Sequence, residues 1–265
     1  MTTGVLIFAY NNEHIDYLAM ANWSAKNIRR HLDLPVAVVT NELPPDEYKF
    51  EQIIMAKAEG SHTRKFTDLP ETVTWYNGNR ADAYRLSPWS QTLVLDADSV
   101  VASTQLKAVL TLKQDFVAHQ TAYDVTNDPQ FAENNVFGRN RMPMSWATVM
   151  MFRRSKRAEM IFDCMTMIKQ NWDHYRGLYG VTKGTFRNDY ALSIALNIVS
   201  GHTQVYPTIP WCLASVSHEH TLKQLNTDKY RVEYTRDNKP RYITLAQDFH
   251  AMGKGHLGAI IDSTS

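Results

Sequence analysis

The sequence predicts an α/β protein built on a doubly wound, mostly parallel sheet, with a small hairpin near the carboxyl terminus. Three features predict this class. The run from Gly4 to Tyr10 is continuously apolar, as in a strand buried on both faces. Apolar residues then recur every three or four positions up to Leu32, the spacing of an amphipathic helix. A second apolar run, Val36 to Thr40, follows, so the chain begins with a strand–helix–strand unit.

The remaining elements are predicted in chain order from the same patterns. We expect strands at Gln52 to Met55, Gln91 to Leu95, Phe116 to His119 and Ala147 to Phe152. We expect helices at Arg80 to Leu86 and at about 155–170 and 188–199. The segment from Gln120 to Trp146 is long, polar and without period, which predicts a functional or mobile loop. Arg231 to Thr235 and Arg241 to Leu245 predict the hairpin, and no linker divides residues 1–265, so one domain is expected.

Composition excludes several classes of protein. The chain has 28 basic and 27 acidic residues, so its net charge is +1. This excludes binding of nucleic acid through a high overall positive charge, as in histones, but not through a local basic patch. Two cysteines exclude a disulfide framework and a cysteine-rich metal site. The apolar run at the start is too short for a signal peptide, and no segment approaches the length of a membrane span. We therefore expect a cytoplasmic protein with no membrane partner.

The sharpest motif is the pair of aspartates that ends the predicted strand Gln91 to Leu95. Asp96 and Asp98 lie at the edge where open α/β sheets bind ligands. Carboxylates two residues apart share one side of an extended chain, so both can reach a single hard cation. The alternative is a solvated turn in which one aspartate caps the next element.

A second polar segment lies near the carboxyl terminus. His250 is a common type of metal ligand, and Gly253 allows close backbone approach to a bulky anion. Lys254 adds a point charge for phosphate. Together with the aspartate pair, this segment predicts a split site for a metal-bound diphosphate; alone, it would be a polar tail.

The block from Arg80 to Asp98 resembles the helix, strand and D-x-D motif of GT-A-fold glycosyltransferases, and is most similar to glycosyltransferase family 8, which includes glycogenin. The resemblance implies a GT-A-like single domain in which Asp96 and Asp98 bind Mn²⁺ or Mg²⁺. It implies that Arg80, Asp96 and Ala97 contact the nucleotide sugar. The segment Phe249 to Lys254 resembles the family's His-Phe-x-Gly-x-x-Lys motif, one residue shorter and with Phe before His. It implies His250 as the third metal ligand and Lys254 on the diphosphate.

Two further blocks fit this family. Asn188-Asp189-Tyr190 resembles an Asp-Gln pair at the start of a late helix, which implies that Asp189 holds sugar hydroxyls and that Tyr190 faces the anomeric carbon. The alternative for Asp189 is a helix N-cap or first-turn acid. Tyr10 and Asn11 stand where this fold holds the nucleobase, so Tyr10 is expected to stack on uracil and Asn11 to bond its edge. The alternative there is a strand end with an asparagine cap.

The expected activity is metal-dependent transfer of a hexose or pentose from a UDP-sugar to a hydroxyl, with retention implied by the resemblance. The chain has no P-loop, no G-x-G-x-x-G and no recognisable Ser-His-Asp set, which argues against kinases, dehydrogenases and triad hydrolases. A sugar-nucleotide pyrophosphorylase needs a glycine-rich loop after its first strand, where this chain has Tyr10 to His14. A non-catalytic sugar-nucleotide or nucleic-acid binding module remains the alternative from another class.

Clusters of basic residues bear on the acceptor. They are predicted to form a phosphate-contacting rim, at Lys26 to His31, Arg139 and Arg141, and Arg153 to Arg157, with Phe137, Trp146 and Trp89 as stacking faces. The alternative is ordinary surface charge that complements helix dipoles. The block from Gly4 to Asn41 also resembles T-even-type phage proteins that glycosylate 5-hydroxymethylcytosine in DNA. That resemblance implies double-stranded DNA as the acceptor and host cytoplasm as the location, with a saccharide acceptor as the alternative.

Overall fold

The computed structural model describes residues 2–58, 62–65, 72–76, 78–182, 184–203 and 206–264. The strands are β1 (Thr3–Ala9), β2 (Val36–Thr40), β3 (Gln52–Met55), β4 (His62–Lys65), β5 (Thr72–Trp75), β6 (Gln91–Asp96), β7 (Ser99–Val100), β8 (Phe116–His119), β9 (Ala122–Asp124), β10 (Val136–Phe137), β11 (Met142–Pro143), β12 (Trp146–Arg153), β13 (Leu213–Val216), β14 (Thr221–Asn226), β15 (Lys229–Arg236), β16 (Lys239–Leu245) and β17 (Phe249–Ala251). The helices are α1 (Tyr17–Leu32), α2 (Ala83–Leu86), α3 (Lys107–Thr111), α4 (Lys156–Gln170), α5 (Trp172–Leu178), α6 (Asn188–Val199) and α7 (Lys254–Thr264), with short 3-10 helices at Asn79–Asp82 and Pro129–Asn135.

A six-stranded sheet in the order β3-β2-β1-β6-β12-β8 forms the centre of the molecule. The first four of these strands are parallel, and β12 runs antiparallel between β6 and β8. The fold class is therefore confirmed as α/β with a mostly parallel sheet. The register places Phe8 opposite Asp96, so β1 and β6 end at the same edge. We call this the carboxyl edge of the sheet.

Helix α1 returns the chain from the carboxyl edge to the opposite edge. It begins after Asp16, whose carboxylate accepts a hydrogen bond from the Ala19 N–H at 2.8 Å. It ends at Asp33, which adopts the left-handed conformation with φ of 57°. Its apolar face, including Ala21, Ala25 and Ile28, is buried, as the periodicity predicts.

A second sheet brings the carboxyl-terminal segment to the aspartate motif. Its four strands lie in the order β7-β17-β13-β9. The antiparallel pairing of β17 with β7 places His250 opposite Ser99, and the Ala251 N–H donates to the Asp98 carbonyl at 3.1 Å. Two segments that are far apart in the chain are thus joined by backbone hydrogen bonds.

The predicted hairpin is confirmed as β15 and β16, and β14 adds a third strand that the pattern did not predict. Asp237 and Asn238 form its two-residue turn, with φ of 53° and 56°. Two successive positive φ values are typical of a type I′ turn, whose twist matches that of the flanking strands.

The expectation of a structureless loop from Gln120 to Trp146 is wrong. This segment contains β9, a 3-10 helix and the two-stranded ribbon of β10 and β11. Asn135 fixes it, since its Oδ1 accepts from the Ala122 N–H at 2.6 Å and from Trp146 Nε1 at 3.2 Å. Elements of two or three residues are too short to produce a periodic pattern. Phe137 and Trp146 are buried, so they are not exposed stacking faces.

The observed helices lie close to the ranges predicted from the sequence. The region Arg80 to Leu86 is a 3-10 turn from Asn79 followed by α2, and it ends before Pro88. The helices α4 and α6 match their predicted ranges within one residue. Within the described residues, no helix is long and apolar enough to cross a membrane.

Substitution of Gly4 tests how closely β1 packs against the Trp89 indole. A Cβ atom at this position would lie 2.3 Å from Cε2 of the Trp89 indole. We expect Gly4→Ala to lower the free energy of unfolding by about 1–3 kcal/mol, because the indole must move. Urea denaturation measures this change. Gly258→Ala is the control, since open space surrounds Gly258 in α7 and the substitution should raise stability by about 0.5–1 kcal/mol. Equal stability of the Gly4→Ala variant and the parent would contradict the packing described.

Candidate active site

A cavity of about 400 Å³ lies at the carboxyl edge of the central sheet. Eight of the residues predicted from sequence line it: Tyr10, Arg80, Asp96, Ala97, Asp98, Asp189, His250 and Lys254. They come from the ends of β1 and β6, the 3-10 helix Asn79–Asp82, the turn before β7, the start of α6, strand β17 and the start of α7. The sheet topology thus gathers into one cavity residues that are spread over most of the chain.

Asp96, Asp98 and His250 form a group that can hold a metal ion. Each offers one ligand atom, and these atoms all lie within 4.8 Å of one another. Two carboxylate oxygens and one imidazole nitrogen suit Mn²⁺ or Mg²⁺ better than a soft metal. The residues present therefore fit the predicted ion.

Asp98 is the most strongly paired acid of the cavity. It is 5% exposed, its Oδ2 accepts a hydrogen bond from Lys254 Nζ, and His250 Nε2 lies 3.2 Å from the same oxygen. Burial raises the pKa of the Asp98 carboxyl, but the Lys254 ammonium and His250 outweigh burial and hold that pKa well below its usual value. Asp98 is therefore an anion, and it places Lys254 directly beside the proposed metal ligands.

Asp96 has the opposite electrostatic balance. Burial raises the pKa of its carboxyl, and the attraction of Arg80 offsets only part of this effect. The nearby negative charge of Asp98 raises the pKa further. A cation bound between the two carboxylates would favour ionisation of both, since it would relieve their mutual repulsion.

Arg80 joins two strands beneath the cavity. It is 1% exposed, donates through Nη2 to Asp96, and donates through Nη1 to the Ala147 carbonyl at 2.6 Å. Its Nε is buried and has no hydrogen-bond partner among the described residues. Arg80 lines the cavity, and a buried guanidinium on a cavity wall is suited to an anionic ligand.

Asp189 is held against β12 rather than used as a helix cap. Its Oδ1 accepts from the Ala147 N–H at 2.9 Å, and its Oδ2 accepts from Arg187 Nη2 at 2.7 Å. Burial raises the pKa of this carboxyl, but the Arg187 guanidinium and the Ala147 N–H together outweigh burial and hold the pKa below its usual value. Asp189 lies in the first turn of α6, yet its hydrogen bonds do not cap that helix.

Two predicted residues do not line the cavity. Tyr190 is 7% exposed and stacks on Trp172, with the ring planes 4° apart. The Asn11 side chain organises the turn after β1, accepting from the Leu18 N–H at 2.9 Å and donating to Asp16 and Glu42. The structure thus brings Asp189 to the cavity without the tyrosine next to it.

The cavity also has lining residues that sequence reasoning missed. They are mainly aromatic or basic: Phe8, Tyr17, Trp75, Tyr76, Arg187 and His218. Arg187 stands two residues before Asp189, and a basic residue so close to a predicted catalytic acid was the one available signal. The aromatic residues belong to no motif, and only the fold brings them together.

The expected basic rim is wrong for Arg153 and Arg154. Arg153 lies opposite Gln91, at the other end of β6 from Asp96, about 17 Å away at the rise of a strand. It donates to the carbonyls of Gln114 and Leu110, and Arg154 donates to the Ser87 carbonyl. Both side chains therefore stabilise the edge opposite the cavity.

Other members of the predicted rim are also engaged elsewhere. Arg30 and His31, at the end of α1, lie 3.7 Å and 3.2 Å from the Asp228 carboxylate. Arg141 makes an exposed ion pair with Glu133 at 2.9 Å. The end of α1 lies at the edge of the sheet opposite the cavity. Its basic residues there complement the negative end of the helix dipole and pair with nearby acids.

The ion pair of Arg187 and Asp189 can be measured by a double-mutant cycle. We expect Arg187→Gln to destabilise the protein because it leaves the buried Asp189 carboxylate without its cation. When Asp189→Asn is combined with Arg187→Gln, part of the lost free energy of unfolding should be recovered. Urea unfolding should give a coupling free energy of about 1 kcal/mol or more between the two residues. Additivity of the two single changes within about 0.5 kcal/mol would contradict a direct interaction.

The proteins that this chain resembles are found among solved structures. No protein-family model and no curated protein sequence matches this chain. The glycosyltransferase GlyE of Streptococcus pneumoniae TIGR4 is 14% identical with a TM-score of 0.44, and the match covers 79% of this chain and 46% of that one. The galactosyltransferase LgtC, solved with donor and acceptor sugar analogs, is 13% identical with a TM-score of 0.44, over 73% of this chain and 70% of that one. This chain spans less than half the length of GlyE, and both likenesses are too distant to assign an activity.

Proposed function

We propose that this chain is a metal-dependent glycosyltransferase that moves a sugar from a UDP-sugar to an acceptor hydroxyl. The observation that supports the proposal is the group Asp96, Asp98 and His250, with Lys254 beside it, on the wall of one cavity. A volume of about 400 Å³ falls within the range of small-molecule sites. The proposal places the diphosphate of the donor at this group.

The charged residues of the cavity suit a metal-bound diphosphate. A divalent cation on Asp96, Asp98 and His250 would supply Lewis-acid stabilisation of the leaving diphosphate. Lys254 contributes fixed positive charge at the same place, and the Arg80 guanidinium adds a second positive charge to the cavity wall. Because these cations are buried and held by hydrogen bonds, they need little reorganisation as charge develops.

The uncharged part of the donor has its own surfaces. Tyr10, Tyr17 and Trp75 line the cavity and offer aromatic faces for a base, and we assign the uracil to Tyr10. We assign the sugar hydroxyls to Asp189, whose ionised oxygens keep lone pairs beyond those that accept from Ala147 and Arg187. Retention of anomeric configuration is part of the proposal only through the family resemblance.

For the acceptor, we propose the hydroxyl of 5-hydroxymethylcytosine in DNA, as the phage-type resemblance implies. A saccharide hydroxyl is the alternative acceptor for the same donor site. A non-catalytic binding module would hold the nucleotide sugar without breaking it. Turnover of the donor therefore separates an enzyme from a binding module, whichever acceptor is used.

Release of UDP from a panel of UDP-sugars, with and without manganese, tests this function. We expect slow manganese-dependent hydrolysis of one donor, and we expect Asp98→Asn to lower its rate by at least about 100-fold, because the variant loses a charged metal ligand. Asp163→Asn, on the exposed face of α4, is the matched control and should keep the parent rate. Thermal unfolding verifies that both variants are folded.

Two results would contradict the proposal. If Asp98→Asn retains a rate within about threefold of the parent, a difference under 1 kcal/mol, Asp98 is not a metal ligand for the reaction. If no UDP-sugar is turned over under any metal condition, while one of them still raises the melting temperature, the binding-module alternative replaces the enzyme.

A further inference from the structure

The hairpin of β15 and β16 carries an excess of basic residues on an otherwise neutral chain. Between Lys229 and Arg241 there are five basic and two acidic residues, against 28 and 27 in the whole chain. Three of the basic residues, Arg236, Lys239 and Arg241, stand around the two-residue turn. We call these three residues the basic tip.

The charges of the basic tip are exposed and mostly unneutralised. Lys239 and Arg241 are exposed, and among the described residues neither side chain forms a hydrogen bond or an ion pair. Further down the same sheet, by contrast, Lys223 is paired with Glu233 at 2.7 Å. With Asp237 in the turn, the three cations of the basic tip leave a net charge of 3 − 1 = +2, which attracts an anionic ligand.

Hydrogen bonds hold the basic tip on the cavity side of the molecule. Arg236 donates to the carbonyl of Thr126, and the Thr126 hydroxyl donates to Asp124 at 2.5 Å. The intervening Val125 N–H donates to the carbonyl of Ser215 at 2.9 Å, and Ser215 lines the cavity. The basic tip is therefore tied to the wall of the proposed active site.

One aromatic ring, Tyr234, lies beside the basic tip, and a second arginine–tyrosine pair lies on the opposite face of the hairpin. Tyr242 is 67% exposed, and the Arg231 guanidinium lies 5.1 Å from its ring centre. The Arg236 guanidinium lies 5.6 Å from the ring centre of Tyr234. Arginine supported by tyrosine presents its planar group in a fixed orientation, which suits bidentate contact with phosphate.

We propose that the basic tip is the docking surface for double-stranded DNA and holds it beside the cavity. This inference rests on the proposed function, since it names where the acceptor binds. A two-stranded ribbon fits the major groove of B-form DNA, where Lys239 and Arg241 of β16 can contact the adjacent phosphate backbone. The deep, narrow major groove of A-form RNA excludes such a ribbon. The surface therefore favours duplex DNA over duplex RNA.

A charge-reversal pair and a matched control test the surface. The test variant is Lys239→Glu with Arg241→Glu, which leaves the structural contacts of Arg236 intact. The control is Lys113→Glu with Arg157→Glu, two exposed cations beside the sheet edge opposite the cavity, with the same change in net charge. Circular dichroism and thermal unfolding establish that both are folded.

The probe is a fluorescent 20-base-pair DNA duplex of mixed sequence, with anisotropy measured between about 50 and 200 mM salt. We expect the parent and the control to bind alike and the test variant to bind at least tenfold more weakly. Loss of two phosphate contacts should also make the dependence of log K on log salt shallower, with the magnitude of the negative slope reduced by about 2. Single-stranded DNA, duplex RNA and dextran sulfate should compete less well than the unlabelled duplex.

Several outcomes overturn the inference. They are failure of the parent to bind duplex DNA, equal loss of binding in test and control variants, and equal competition by dextran sulfate or duplex RNA. Manganese-dependent hydrolysis of the UDP-sugar, measured on the same variants, should be unchanged, because the donor residues lie elsewhere. If DNA binding follows the predicted pattern but no UDP-sugar is turned over, the docking surface is supported and the proposed enzyme activity is rejected.

Discussion

The burial of the Asp98 carboxylate beside the partly buried Asp96 is the constraint on which the rest of the site depends. An ionised carboxylate removed from water is costly unless a cation or hydrogen-bond donors compensate it. The fold supplies Arg80 from the segment before β6 and Lys254 from the start of α7. The pairing of β17 with β7 is what brings Lys254 and His250 within reach. The carboxyl-terminal segment is therefore required for the electrostatic balance of a motif that precedes it by 152 to 156 residues.

Formal charges in the cavity are balanced. Asp96, Asp98 and Asp189 face Arg80, Lys254 and Arg187, which makes three acids and three permanent cations. A divalent cation or a diphosphate alone would disturb this balance, whereas the two together would restore it. This is a physical reason for the metal and the nucleotide to bind as one unit. The same pairing of acids with cations keeps Asp189 ionised and in contact with β12.

The parts of the structure that could be predicted from sequence are those encoded by local patterns. Continuous apolar runs predicted β1, β2 and β6, and the aspartates at the end of β6 marked the edge of the sheet where the cavity lies. His250 and Lys254 were found because their residue types fit a known motif. The segment around Asn135 was missed because its elements are too short to have a period. The basic residues Arg153 and Arg154 were misplaced because β12 runs antiparallel, a fact of topology that no local pattern records.

The most direct test of the central claim is anomalous diffraction at the manganese absorption edge from crystals grown with manganese and UDP. The account predicts one strong peak in the cavity, within about 2.0–2.6 Å of an oxygen of Asp96, an oxygen of Asp98 and a ring nitrogen of His250. It also predicts the UDP phosphates next to Lys254. Density for UDP in this cavity with no manganese peak at these three side chains, or a peak at another group of residues, would contradict it.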